Sequence, residues 1–413
     1  MTNQNHTIII GGGQAGAQAC QSLRQFGHEG AITLIGSESA LPYQRPPLSK
    51  AYMKGELEES RLYFKPHAWY EDNQIDIRLG ADATDIDAGA KTVTLDSGAT
   101  LEYSDLIIAT GARPRPLPVP GRQLKGIYDL RDLADVERIR PEMIAGRRLL
   151  IVGAGYIGLE AAAVGRQLGL EVTVLERADR VLERVTSPVM SEFFTAEHRA
   201  HGVDIRIGAQ LEAFEGENGR VTGARLTTGE IIACDTALTG IGIIPNTELA
   251  EAAGLAVSNG IVVDENARTC DPHIFAAGDC TVRPLASYRR TGRLESVHNA
   301  IEQGKLAAAA IAGKPAPALD CPWFWSDQYD LKLQIAGLSA GFDEIVLRGD
   351  PVERKFAAFY LKDGVLIAVD AVNSPPEFLA SKKLVQAAAR LAPATLADLT
   401  QSMKDIAKAA LAG

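Results

Sequence analysis

Apolar runs that stop abruptly at glycine organise this chain. The segments "HTIIIGGGQAGAQAC", residues 6–20, and "RLLIVGAGYIGLEAAA", residues 148–163, each predict a buried strand, a tight turn and a helix. "GAITLIGSE" continues the first pattern as a second strand, and "LPYQRPPLSKAYMKG" then interrupts it with three prolines. "KTVTLDSGATLEY" predicts short alternating strands around a turn, "DLIIATG" a further apolar strand, and "ARPRPLPVPG" a domain junction. From Arg147 to about Pro245 the strand, helix, strand pattern restarts, ending in "CDTALTGIGIIPN". The first glycines of the two patterns lie 153 − 11 = 142 residues apart, too far for a solenoid and suited to a duplicated domain. The chain returns through "GIVVDENARTCDPHIFAAGDC", a strand with a Gly-Asp turn, to a helix from about Ser296 to Ala312; "GKPAPALDCP" reads as a linker. "FAAFYLKDGVLIAVDAV" predicts a hairpin turning at Asp363 and Gly364, with helical sequence to the end. The expected fold is α/β: two Rossmann-like domains, one (113–245) inserted in the other (1–112 and 246–318), plus a C-terminal α+β domain (319–413).

The turns carry the chemistry. Gly11, Gly13 and Gly16, and again Gly153, Gly155 and Gly158, spell G-x-G-x-x-G between strand and helix. The first glycine makes the turn, the second lets a pyrophosphate approach the backbone, and the third lets helix and strand pack closely. The anion rests on the helix N-terminus, where unpaired N–H groups and the dipole favour it. One copy is a common Gly-rich turn; two copies imply two dinucleotides, and hence a flavin paired with a nicotinamide. Glu176 ends "EVTVLE" 23 residues after Gly153, the place of a carboxylate that accepts hydrogen bonds from ribose hydroxyls and repels a 2′-phosphate. That favours NADH over NADPH, although Arg177 and Arg180 stand where either could reach a 2′-phosphate. In the first copy Gly36 occupies the matching position, which leaves Ser37 and Glu38 as the nearest polar candidates for the other ribose.

A length of 413 residues allows about three domains. The net charge of −10 argues against nucleic acid or an anionic membrane as the main partner. Five cysteines, Cys20, Cys234, Cys270, Cys280 and Cys321, show neither C-x-x-C nor metal-ligand spacing, and no metal site is expected. With no signal-peptide pattern before the first strand and no apolar run of membrane-spanning length, the expected location is the cytoplasm.

Both fingerprints, together with "RPPLSK", "ATGARPRPLP", "GIGIIPN", "FAAGDC", "ESVHNAIEQG" and "PWFWSDQYDLKLQIAG", resemble the FAD-dependent, NADH-dependent ferredoxin reductases of bacterial P450 and dioxygenase systems. The wider superfamily resembles glutathione reductase in fold. The resemblance implies hydride transfer from NADH to FAD, then single electrons to a [2Fe-2S] ferredoxin feeding a P450 or other oxygenase. Alternatives are a flavoprotein reductase of rubredoxin, a quinone or dioxygen, or a redox-responsive protein similar to apoptosis-inducing factor. Disulfide reductases of the superfamily carry a cysteine pair near the flavin, whereas the first helix here offers only Cys20, so electrons must leave directly for an outside acceptor. For FAD the resemblance implies Gly11, Gly13, Ala15 and Gly16 at the pyrophosphate, Thr110 and Gly111 closing the site, and by position Ala83 and Arg131. It also implies Asp279, at a turn read as leading into a helix, with Val297 and Trp325 beside the flavin. For the nicotinamide nucleotide it implies Gly153, Gly155, Tyr156, Ile157, Gly158, Glu176 and Gly242. Lys50 and Glu160 resemble the family's ion pair near the nicotinamide and are the candidate catalytic residues, as positioning and electrostatic groups, since hydride transfer needs no protein acid or base. Arg289, Arg290 and Arg293, extended by Lys332, Lys382 and Lys383, are candidates for a basic patch facing an acidic ferredoxin.

Overall fold

The computed structural model describes residues 5–412. Residues 1–4 and 413, at the outer ends of the first and last expected domains, lie outside the described residues. The chain forms two compact units: Met1–Gln44 with Glu59–Arg113 and Ile244–Leu319, and Arg45–Glu58 with Pro114–Ile243 and Asp320–Gly413.

The first unit is built on a parallel sheet with strands in the order Ile274–Ala276, Asp105–Ile108, His6–Ile10, Ala31–Gly36, Ile75–Leu79. Its central strands read as unbroken apolar runs because both faces are covered. Ile9 and Ile107 join Leu23 and Leu306 in one core, while Ile8, Ile10 and Leu106 point the other way toward Val93 and Leu95. The helices Gln14–Gln25 and Val297–Ile311 pack so closely that a Cβ on Gly304 would lie 2.8 Å from the Ala15 carbonyl oxygen. Ser296 caps the second of these helices, its Oγ accepting from Asn299 N at 3.1 Å.

The second unit repeats the sheet: Asp204–Ile207, Glu171–Glu176, Arg148–Val152, Thr236–Thr239, Ile127–Asp129, again parallel. An antiparallel trio, Leu211–Glu217, Arg220–Leu226 and Ile231–Ala233, adds to it and was not expected from the sequence pattern. The same unit holds an antiparallel sheet ordered Trp323–Gln328, Leu331–Gly337, Val365–Val372, Lys355–Lys362, Glu344–Asp350. Its Lys355–Val372 hairpin turns at Asp363 and Gly364, both at positive φ (50° and 73°). These two strands are buried almost end to end, so their pattern is continuous rather than alternating. The helices Pro375–Gln386 and Met403–Ala412 bury Phe378, Leu384 and Ile406 against that sheet's core. The proline-rich stretch Arg45–Glu58 belongs to this unit: Pro46–Ser49 forms a single 3₁₀ turn, and Lys50 ends it.

Candidate dinucleotide sites and the buried Lys50–Glu160 pair

Each glycine loop shows what its glycines are for. Gly11 sits at φ +116°, and a Cβ there would lie 2.1 Å from Ala109 O; Gly153 sits at φ +107°, with Gly240 O at 2.5 Å. Gly16 and Gly158 each press onto the first glycine's carbonyl oxygen, at 2.0 and 2.1 Å from a built Cβ. Around Gly13 and Gly155, by contrast, a Cβ would meet no atom within 4 Å. Each is the N-cap of its helix and makes no side-chain cap, and neither helix has an acid in its first turn. Elsewhere Asp132 and Ser296 cap their helices with side-chain oxygens. Open space over uncapped N–H groups fits a pyrophosphate in both loops.

In the first unit, Thr110 and Gly111 follow the strand Asp105–Ile108 and are tied to Asn246: Thr110 Oγ1 donates to Asn246 O (2.7 Å), and Asn246 Nδ2 donates to Thr110 O (2.9 Å). Ala15 lies in the first turn of the helix, and Ala83 opens the strand Ala83–Asp87. Val297 is the first residue of its helix and half-buried. Asp279 corrects the expectation of a helix N-terminus, because the chain goes from it into the strand Thr281–Leu285 and a hairpin with Arg290–Gly292. The helix instead braces the turn from its middle, Gln303 Oε1 accepting from Gly278 N (2.9 Å) and Thr281 Oγ1 (2.8 Å). Gly36 ends its strand in register with the position of Glu176, since Gly11 N and Gly153 N donate equally, at 2.8 Å, to Ile35 O and Leu175 O. Ser37 is exposed; Glu38 is half-buried and accepts from the Tyr43 hydroxyl at 2.5 Å. Cys20 is fully buried, and burial pushes its thiol up to about 12, which makes it unreactive.

In the second unit, Glu176 is held by two backbone donors, Ala154 N to Oε2 and Ala178 N to Oε1, both at 2.8 Å. Arg180 is committed to Thr186 O, Ser191 Oγ and Glu183 O at 2.6–2.9 Å, whereas Arg177 is exposed. Gly242, at φ +109°, lies beyond the strand Thr236–Thr239, its carbonyl accepting from Arg115 N. Ile157 is exposed, and the Tyr156 ring rests on Phe324 with centroids 4.9 Å apart; its hydroxyl is buried without a partner. Arg131 belongs to this unit, its carbonyl accepting from Arg45 Nη1 at 2.7 Å.

Lys50 and Glu160 meet at 2.5 Å, with side chains 19% and 5% exposed. The ammonium also donates to Pro46 O and Ser49 Oγ, both at 3.3 Å. Ser49 Oγ donates to Glu160 Oε2 and Ser326 Oγ to Oε1, each at 2.6 Å. Three donors, one ammonium and two hydroxyls, thus offset the cost of burying the carboxylate. Ser326 was missed in the sequence; the signal was strand alternation, which sets Phe324, Ser326 and Gln328 on the face toward Tyr156 and Glu160 and Trp325 on the other, beside Trp323 (5.4 Å). Of the basic candidates, Arg289 and Arg290 are exposed at a hairpin tip and Lys332 and Lys383 are exposed. Arg293, with its side chain 14% exposed, pairs with Glu295, and Lys382 pairs with Asp320.

Two nucleotide loops, a buried lysine–glutamate pair and no thiol pair at the first helix define a two-dinucleotide flavoenzyme. The chain belongs to the pyridine nucleotide-disulphide oxidoreductase family, matched over residues 5–304, and residues 323–407 match the reductase C-terminal domain. It is 45% identical to a probable ferredoxin reductase of Castellaniella defragrans, over 93% of this chain and 94% of that one. It is 42% identical to putidaredoxin reductase of Pseudomonas putida, over 100% and 99% of the two chains. The fold superposes on the reductase in the covalent putidaredoxin reductase–putidaredoxin complex with a TM-score of 0.98, 42% identity and complete coverage of both chains. The expected resemblance to ferredoxin reductases of oxygenase systems and the expected fold class hold, and the protein is an FAD-dependent oxidoreductase using NAD(H). Among the described residues no helix is long and apolar enough to cross a membrane.

Proposed function

We infer that this protein is an NADH:ferredoxin reductase that delivers electrons singly to a [2Fe-2S] ferredoxin, and through it to a P450 or other oxygenase, in the cytoplasm. The observation that carries the reading is the pair of open, uncapped glycine loops in a chain whose only first-helix thiol is buried and inert. FAD, when bound, supplies a two-electron acceptor for the nicotinamide hydride and a one-electron donor for the iron–sulfur protein. Residues 1–112 and 246–318 hold FAD through Gly11, Gly13, Ala15, Gly16, Thr110, Gly111 and Asp279, and 113–245 hold NADH through Gly153, Gly155, Gly158 and Glu176. Lys50 supplies a fixed cation whose place is set by Glu160, a charge arranged before the reaction rather than recruited during it.

Anaerobic titration of the purified yellow protein with NADH, followed by mixing with a [2Fe-2S] ferredoxin, a rubredoxin, a quinone or dioxygen, tests the reading. Ferredoxin should reoxidise the flavin fastest; faster turnover with any other acceptor overturns it.

A further inference from the structure

Glu160 is also the end of a longer row of hydrogen bonds inside the second unit. Ser326 Oγ donates to Glu160 Oε1 (2.6 Å), and Gln328 Nε2 donates to Ser326 Oγ (3.1 Å). Gln328 Oε1 lies 2.8 Å from His198 Nε2, and the Tyr329 hydroxyl lies 3.1 Å from His198 Nδ1. Ser326 and Gln328 are 1% exposed and His198 is 0% exposed. The chemistry of the groups fixes the direction of every bond. A carboxylate only accepts, so Ser326 gives its proton to Glu160; the Gln328 amide nitrogen is committed to Ser326, so its oxygen faces His198. An amide oxygen also only accepts, so His198 carries its hydrogen on Nε2, and Nδ1 takes the hydrogen of Tyr329. All donors then point the same way, toward the carboxylate, and bonds aligned in this sense polarise one another. Burial lowers the His198 pKa to about 4, which keeps the ring neutral and the direction unchanged at working pH.

The outer end is held with some care. Tyr329 and Asp330 form the turn between the strands Trp323–Gln328 and Leu331–Gly337, with Tyr329 at φ +56°, a left-handed conformation unfavourable for a side chain this large. His201 stacks on its ring at 3.7 Å and 11°, and Asp330 is paired with Arg354, which also bonds Glu197. Gln18, which occupies the position of Glu160 in the first glycine loop (160 − 142 = 18), has no such row; its amide nitrogen donates to Ser22 Oγ one turn away.

We propose that Tyr329, His198, Gln328 and Ser326 are positioning residues: a one-way hydrogen-bond chain that orients the Glu160 carboxylate, and through it the Lys50 ammonium, for reaction between nicotinamide and flavin. The inference rests on the role given to Lys50 and Glu160 under the proposed function. The FAD-loaded protein and its Ser326→Ala, Ser326→Thr, Gln328→Met and Lys50→Met variants are compared by anaerobic stopped-flow reduction with NADH, with 15N-histidine NMR as a readout independent of activity. The His198 signals are assigned by their loss in His198→Phe. At saturating NADH, Ser326→Ala should slow flavin reduction about tenfold to a hundredfold, the range of one lost hydrogen bond to a charged group, and Gln328→Met about twofold to tenfold, that of a neutral one. NADH affinity should change by less than about twofold, because the loss falls on the transition state. Ser326→Thr should restore most of the rate, and neither variant should slow Lys50→Met further. The wild-type His198 ring should carry its hydrogen on Nε2 and not titrate above pH 5. A hydrogen on Nδ1 overturns the chain, as does reduction at the wild-type rate in Ser326→Ala and Gln328→Met when Lys50→Met is slow. A wild-type rate in Lys50→Met itself overturns the underlying role of the ion pair, and the chain's function with it.

Discussion

The two glycine loops are the same local structure used under different constraints. In both, a parallel strand runs into a glycine at φ above 100°, and a third glycine locks helix to turn. They diverge where side chains begin. At the strand end the first has Gly36 and the second Glu176; one turn into the helix the first has Gln18 and the second Glu160. The first loop's helix is covered by the helix Val297–Ile311, through Gly304 against Ala15, whereas the second's faces the strand Trp323–Gln328 and the turn Pro46–Ser49. Under the proposed function, the shared backbone would bind the feature common to both nucleotides, the pyrophosphate, and the divergent positions would serve what differs between them.

Substituting the glycines tests that comparison with the largest effects. Gly11→Ala and Gly153→Ala place a methyl on a carbonyl oxygen at forbidden φ, and each should destabilise its loop by about 3 kcal/mol or more. Gly11→Ala should yield protein without FAD; Gly153→Ala should remain yellow but resist reduction by NADH. Gly13→Ala and Gly155→Ala meet open space in the protein, so folding should be unchanged while affinity for FAD and NADH, respectively, falls about tenfold to a hundredfold. Flavin content, thermal melting and NADH titration decide it. Loss of FAD in Gly155→Ala would show that the assignment of nucleotides to loops is reversed.

Glu176→Ala sharpens the comparison at the strand end, with a smaller effect. The carboxylate should contribute about 1.5–3 kcal/mol to ribose recognition, so the KM for NADH should rise tenfold to a hundredfold and the gap to NADPH should narrow. NADPH should gain little, because Arg180 remains bound to Thr186 and Ser191 and leaves Arg177 as the nearest free cation in that stretch. An unchanged KM for NADH would remove Glu176 from the site.

Backbone-determined features were the legible ones. The strands, both glycine turns, the helix starting at Ser296 and the Asp363–Gly364 hairpin follow from apolar runs and conformational rules that act over a few residues. The glutamate at the second strand end was legible for the same reason, being fixed by its distance from a turn. Illegible were arrangements that join distant segments: the antiparallel trio Leu211–Ala233, the hairpin Thr281–Gly292 mistaken for a turn into a helix, and the row from Tyr329 to Ser326. His198 lies 130 residues from Gln328, and nothing in either segment's pattern distinguishes a buried histidine from a helix-lining one. The family resemblance supplied Lys50 and Glu160 but not the hydroxyls of Ser49 and Ser326 that hold the carboxylate, since those bonds span 111 and 166 residues.

The smallest expected effect concerns a part of the first unit with no counterpart in the second, the hairpin tip at Arg289 and Arg290. Its two arginines are exposed, while Arg293, in the same sequence cluster, is largely buried against Glu295. A charge reversal at Arg293 would therefore disturb packing, so Arg289→Glu with Arg290→Glu is the cleaner probe of docking. With a protein of net charge −10, an acidic ferredoxin meets long-range repulsion, and a local basic site raises the association rate only where it lies on the docking face. Rim charges act mainly on association, so the double variant should slow ferredoxin binding about threefold to tenfold at low salt, and the difference should shrink as salt screens it. NADH-driven reduction of ferricyanide, which needs no docked protein, should be unchanged, as should the KM for NADH that Glu176→Ala raises. Opposite selectivity in the two variants would place donor and acceptor recognition on separate parts of the duplicated fold. Equal loss of the ferredoxin and ferricyanide reactions would instead mean a damaged flavin site, and no loss in either would leave the hairpin outside the docking face.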